Sequence, residues 1–238
     1  MKVKVCIGAI VSACLLLACS ARAAIIISEV DPSGSSSTNN TYNADWFELT
    51  NTGAVAQEIT GWKIDDNSHA FGSAVALRGV TSIGPGKSVV FAEGLADGST
   101  DATIDANFKA FWFGANVPAG FTMGNYGGAS VGLSQTADEV NIYDSSGSEV
   151  TGVGFGAATL GVSLDNSAGM GSSTQPNLII STNSIAGVHG AFSSANAAAG
   201  QANEIGSPGS IGVPEPASAV LGGIGLCALF AGRLLRRK

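Results

Sequence analysis

From residue 24 to residue 212 the apolar residues come in short runs, each bounded by residues that break regular structure. Ile25 to Val30 is a largely β-branched run stopped by Asp31-Pro32, and Trp46-Phe47-Glu48-Leu49-Thr50 alternates with Phe47 and Leu49 on one face. Trp62-Lys63-Ile64 follows Gly61 and ends at Asp65-Asp66-Asn67, and Ser88-Val89-Val90-Phe91 follows the turn Gly84-Pro85-Gly86. Glu139 to Tyr143 alternates, and Asp144-Ser145-Ser146-Gly147 reads as a hairpin loop into Glu149-Val150-Thr151 and Val153. Alternation with a period of two suits half-buried strands, and the breakers between runs supply the turns. No stretch of the region sustains a helical period. The expected class is therefore all-β, as a sandwich or barrel.

This region must fold without covalent help. Cys6, Cys14 and Cys19 lie in the first 23 residues and Cys227 near the end, so the region between holds no disulfide and no Cys-based zinc site. Trp46, Phe47, Leu49, Trp62, Ile64, Phe91, Val140 and Ile142 are the expected core, each worth about 1.5–3 kcal/mol when buried. Only four basic residues, Lys63, Arg78, Lys87 and Lys109, face seventeen acidic ones between 24 and 212, a net charge of −13. Such a surface repels phosphate backbones and disfavours nucleic acid as a partner. It could attract cations, and Asp65, Asp66, Asp97 and Asp101 are the candidate calcium ligands, because carboxylates on loops can supply its oxygen shell. Solvated loop carboxylates are the plainer reading. Two histidines, His69 and His189, do not make a catalytic zinc site.

The two ends differ from the middle. Lys2 and Lys4 precede an uncharged apolar run from Val5 to Ala18, and Ala21-Arg22-Ala23 is an A-x-A site, so residues 1–23 read as an export signal cleaved before Ala24. Two rivals remain: a retained N-terminal anchor, and Leu16-Leu17-Ala18-Cys19 as a lipobox with Cys19 lipidated. At the other end Val213-Pro214-Glu215-Pro216 precedes an uncharged stretch from Ala217 to Gly232, followed by Arg233, Arg236, Arg237 and Lys238. As a helix rising 1.5 Å per residue, Ala217 to Leu235 would nearly cross a hydrocarbon core of roughly 30 Å. The terminal cations would stay on the cytoplasmic side and leave the preceding domain outside.

The segment 213–238 resembles the bacterial PEP-CTERM sorting signal, with its Pro-Glu-Pro, Gly/Leu/Ala-rich span and Arg-rich tail in order. The resemblance implies recognition by an exosortase. A plain tail anchor is the alternative. The middle of the chain resembles the lamin tail domain. The resemblance is carried by Ile26-Ile27-Ser28-Glu29-Val30, by Asp45-Trp46-Phe47-Glu48-Leu49-Thr50-Asn51-Thr52-Gly53, and by Ile59-Thr60-Gly61-Trp62-Lys63-Ile64-Asp65-Asp66. Ile83 to Val90, Leu133 to Asp144 and Glu204 to Gly209 fit its later turn, hairpin and end, whereas Phe108–Ser130 and Leu160–Asn203 fit loosely. That family implies an immunoglobulin-like β-sandwich. The expected organisation is a signal at 1–23, the sandwich at 24–160, an irregular end with a Gly/Ala/Ser-rich linker at 161–212, and the sorting signal at 213–238.

Enzymatic motifs are weak. Gly128-Ala129-Ser130-Val131-Gly132 matches a nucleophile elbow but lacks the strand before and helix after that the elbow needs. Gly84 to Ser88 echoes a phosphate loop without its first glycine, and Gly152 to Ala157 echoes a dinucleotide fingerprint without its helix. Trp112, in Phe111-Trp112-Phe113, is the candidate carbohydrate-stacking platform, against core packing as the plainer reading. The expectation is an exported, non-catalytic envelope, surface or matrix protein, with no cofactor beyond a weak case for calcium. Signal peptidase and exosortase would process it, the membrane would hold it transiently, and extracellular polysaccharide is a candidate partner. The rival is an accessory module, binding carbohydrate or calcium, that works beside a secreted hydrolase.

Overall fold

The computed structural model describes residues 25–210; the expected signal and sorting segments lie outside the described residues. Strands β1 (Ile25–Asp31), β2 (Trp46–Asn51), β3 (Gln57–Glu58), β4 (Lys63–Asp65), β5 (Val75–Ala76), β6 (Ser82–Ile83) and β7 (Ser88–Gly94) lead to one helix, α1 (Asp101–Phe113). Strands β8 (Met123–Gly127), β9 (Asp138–Tyr143), β10 (Glu149–Phe155), β11 (Leu164–Asp165), β12 (Ile179–Ile180), β13 (Phe192–Ser193) and β14 (Ile205–Gly206) follow. They make two five-stranded sheets, ordered β11-β1-β2-β7-β8 and β12-β10-β9-β4-β5, with β13-β14 and β3-β6 as small ribbons. The chain is mostly β, as an immunoglobulin-like sandwich requires.

The alternation read from the sequence decides what lies between the sheets. Phe47 and Leu49 of β2, Val89 and Phe91 of β7, Ile64 of β4, and Val140 and Ile142 of β9 join one buried cluster with Trp62, Tyr126, Val153 and Phe155. Strand β1 keeps in phase through a bulge: Ile27 faces Leu49, but Glu29 faces Glu48 and Val30 faces Phe47, leaving Ser28 as the extra residue. One inserted residue flips every later side chain to the other face. The bulge thus lets Ile25, Ile27 and Val30 all enter the interior and turns Glu29 outward.

The outer face of the first sheet is also buried, and here the expectation of a helix-free region is corrected. Strand β8 runs parallel to β7, and parallel neighbours need a crossover connection. Helix α1 is that connection. Its Ile104, Phe108, Phe111, Trp112 and Phe113 are buried, and they pack with Tyr42, Ala44, Trp46, Val90, Ala92 and Met123 as a second cluster. Positions 104, 108, 111 and 112 follow the i, i+4, i+7, i+8 spacing of one helical face. Gly114, at φ +58°, ends the helix with its N–H on the Ala110 carbonyl.

Residues 161–210 pack against the domain. Strand β11 extends the first sheet beside β1, and β12 extends the second beside β10. The β13–β14 ribbon joins α1 through Ala195 and Asn196, whose N–H groups donate to the carbonyls of Trp112 and Phe111 at 3.1 and 3.0 Å. Among the described residues no helix is long and apolar enough to cross a membrane.

Candidate functional site

The sequence-predicted residues do not converge. Asp65, at the end of β4, is fully buried and accepts hydrogen bonds from Ser68 Oγ (2.7 Å), the Ala70 N–H (2.8 Å) and Ser73 Oγ (3.1 Å). It ties its own loop. Asp66 accepts the Ser68 N–H at 2.9 Å. Asp97 accepts the N–H and hydroxyl of Ser99 at 3.0 and 2.7 Å, bonds that hold its carboxyl below the usual range. Asp101 stands in the first turn of α1 and takes a two-pronged contact from Arg78, 2.9 and 3.0 Å long. Asp97 lies in the loop before α1 and Asp101 in its first turn, so the two stand on different elements. Among the described residues no group of three or more His, Cys, Asp or Glu could hold a metal ion.

Trp112 is corrected as a stacking platform. It is 1% exposed and wedged edge-on against Trp46, Phe111 and Phe192. Ser130 sits in a turn directly after β8, so the preceding strand that the sequence did not show is present, but no helix follows it. His189 meets a serine and an aspartate elsewhere: its Nδ1 lies 2.9 Å from Ser167 Oγ and 2.8 Å from Asp165 Oδ2. A relay needs the acid on one ring nitrogen and the nucleophile on the other. Here both crowd the same nitrogen, so the arrangement is a surface tie. Gly84 to Ser88 turns into β7, and Gly152 to Phe155 lies within β10; neither opens a helix.

Sequence reasoning missed a set of buried carboxylates on the outer face of β1 and β2. Glu29 and Glu48 are directly opposite each other and both 0% exposed, with no cation beside them among the described residues. Hydroxyls and N–H groups serve them instead. Glu29 takes the Ser207 N–H at 2.7 Å, Ser207 Oγ at 2.9 Å, and the Ser163 hydroxyl. Glu48 takes Ser28 Oγ at 2.7 Å and the Gly209 N–H at 2.5 Å. At the same end of the chain Glu204 accepts from Ser37 (2.5 Å), Asn40 (3.1 Å) and Tyr42 (3.0 Å). Three carboxylates thus lock the last described segment, residues 204–209, onto the sandwich.

Burial dominates their titration. Removal from water, then repulsion from Glu48, pushes Glu29 up to about 8. Burial pushes Glu48 to about 7 against its hydrogen bonds, and burial with repulsion from Glu204 pushes Asp31 to about 7. Glu93 also rises to about 7, through burial and then Asp45. Beside the locked segment lies a small open concavity of about 230 Å³, with Lys87, Ser88, Phe121, Gly209 and Ser210 on its walls. The arrangement binds the domain's own chain; it does not assemble a nucleophile with a base.

Comparison with family models matches the Lamin Tail Domain over residues 19–157. No curated protein matches the chain. The match covers more than half of the sequence and all of β1 to β10, so the chain belongs to the lamin tail domain family.

Proposed function

We propose that this lamin tail domain protein is an exported, non-catalytic component of the cell envelope or extracellular matrix, sorted by an exosortase through its C-terminal Pro-Glu-Pro. The observation that carries the reading is the order of parts at the chain's end. A domain whose last segment is locked down at Gly209 by Glu48 is followed at once by Pro214-Glu215-Pro216, an uncharged stretch, and Arg233, Arg236, Arg237 and Lys238. In this reading the uncharged stretch holds the tail in the bilayer after export. The terminal cations stop translocation, because crossing is costly for charge. The prolines hold the backbone extended and out of the helix, where a membrane-embedded enzyme can read it.

The non-catalytic part is supported by where the candidate groups stand: Ser130 in a turn, His189 tied by one nitrogen to both partners, Trp112 inside the core. The test is mature length on a blot. Pro214→Ala with Glu215→Ala leaves membrane insertion intact and blocks tail removal, so full-length protein accumulates in the membrane, as it does in cells lacking the exosortase. Unchanged mature length in both would reduce residues 213–238 to an ordinary anchor.

A further inference from the structure

We propose that the rim around Ser210, formed by Val117, Phe121, Ile185 and Val188 with Lys87, is a contact surface for a lipid bilayer bearing anionic headgroups. The rim is engaged while the apolar C-terminal stretch holds the chain. The inference rests on the anchoring reading above and adds which face of the domain the membrane touches.

The last described residues are fixed. The Ser207 N–H and hydroxyl bind Glu29, and the Gly209 N–H binds Glu48. Six residues then separate Ser210 from Ala217, where the uncharged stretch begins. At no more than about 3.6 Å per residue, that linker reaches at most about 25 Å. A domain of this size has a radius of gyration of about 16 Å and a diameter of roughly 40 Å. The tether is shorter than the domain is wide, so the domain cannot turn its far side to the bilayer. The surface bordering Ser210 is the part of the domain that stays nearest the headgroups.

What borders Ser210 suits that partner. Phe121 lines the concavity with Gly209 and Ser210, as does Pro118, next to the exposed Val117. On the other side Gly190 packs so closely on Ser210 that an added Cβ would collide with its carbonyl. Gly190 belongs to the tight turn closed by the Gly187 N–H on Ala191 O at 2.7 Å and the Val188 N–H on Ile185 O at 2.9 Å. That turn carries Ile185 and Val188, 61% and 41% exposed. Apolar side chains bordered by a cation are the composition that seats at a bilayer interface.

Charge selects the same rim. Among the described residues Arg78 is paired with Asp101, Lys109 lies near Asp105, and Lys63 sits over the Phe71 ring. Lys87, exposed on the concavity wall, is the cation with no such partner there. Glu29 and Glu48, which bind Ser207 and Gly209, are buried within the lock. His189, one residue from Gly190, is tied to Asp165. On a strongly acidic domain, this rim presents Lys87 to an anionic surface.

The test uses the mature chain from Ala24 to Lys238 with Cys227 changed to alanine, reconstituted into phosphatidylglycerol-containing or pure phosphatidylcholine vesicles. An environment-sensitive dye is placed at Val188→Cys, at Val117→Cys, or at Ser130→Cys, which follows the far end of β8. Nitroxide lipids should quench the dye at 188 and 117 several-fold more than at 130. Lys87→Glu should weaken the quenching in phosphatidylglycerol vesicles and leave it unchanged in phosphatidylcholine. Chains that float with the vesicles yet show equal quenching at all three positions would overturn the inference while leaving anchoring intact. Chains that do not float would overturn both. Shielding of Val188 that persists in detergent and grows with protein concentration would assign the rim to a second copy of the chain instead.

Discussion

Trp112 joins three segments that are far apart in the sequence. Its ring meets Trp46 of β2 at 5.9 Å, Phe108 of α1 at 6.1 Å and Phe192 of β13 at 5.7 Å, and its carbonyl accepts the Ala195 N–H at 3.1 Å. Aromatic contacts of this kind add about 0.5–1.5 kcal/mol beyond area burial. Trp112→Ala should therefore cost about 3–5 kcal/mol in chemical denaturation. A loss below about 1 kcal/mol would return Trp112 to the surface role considered from sequence. Ser130 gives the opposite expectation. It is exposed in a turn, so Ser130→Ala should move stability by no more than about 0.5 kcal/mol. Ester hydrolysis by the purified chain should stay at background with or without the substitution; turnover abolished by that single change would make the domain an enzyme.

Among the elements, α1 separates what the sequence can show from what it cannot. The strands are legible because each is half-buried against the same interior, so Phe47, Leu49, Ile64, Val140 and Ile142 keep their alternation. The apolar face of α1 lasts only from Ile104 to Phe113 and is diluted by Ala102, Ala106 and Ala110. What requires a helix there is the parallel pairing of β7 with β8, which the local sequence does not contain. The outward carboxylates were illegible for a similar reason. Glu48 occupies a position that alternation assigns to solvent, whereas alternation would put Glu29 on the inner face with Ile25 and Ile27; the burial of both comes from Ser207 and Gly209, more than 150 residues downstream. The Ser28 bulge, which turns Glu29 outward, leaves no mark in composition either. The helix is open to test at Ala106, which is exposed. Ala106→Gly should cost about 1 kcal/mol and Ala106→Pro about 3 kcal/mol. Equal, negligible effects of both in urea unfolding would remove α1 from the folded state.

Taken as one molecule, the domain gathers acid inside itself. Glu29, Asp31, Glu48 and Glu93 rise to about 8, 7, 7 and 7 from ordinary values near 4. A raised carboxyl binds its proton more tightly in the folded state than in the unfolded one. Between about pH 4 and pH 8 the folded chain therefore holds more protons, and each extra proton makes stability fall by about 1.4 kcal/mol per pH unit as the pH rises. The contribution is complete below the unfolded values and is lost as the pH climbs through 7 and 8. The melting temperature should thus increase on acidification from pH 8 to pH 5. Asp97 and Asp144 shift the other way, but both lie in solvent, held by neighbouring serines, where screening leaves them little weight. The lock at the chain's end gives the direct control. Glu48→Gln removes one charge of the opposed pair while keeping an oxygen for the Gly209 N–H. The variant should exceed the parent in stability at pH 8, and the gap should close toward pH 5, where the parent's own carboxyl is protonated. Amide exchange across residues 204–210 should follow the same course, slow in both proteins at pH 5 after correction for intrinsic rates, and faster at pH 8 in the parent alone. A melting temperature that falls from pH 8 to pH 5, or a Glu48→Gln effect independent of pH, would show that Glu29 and Glu48 are both ionised in the folded state, held by the Ser and Gly donors alone.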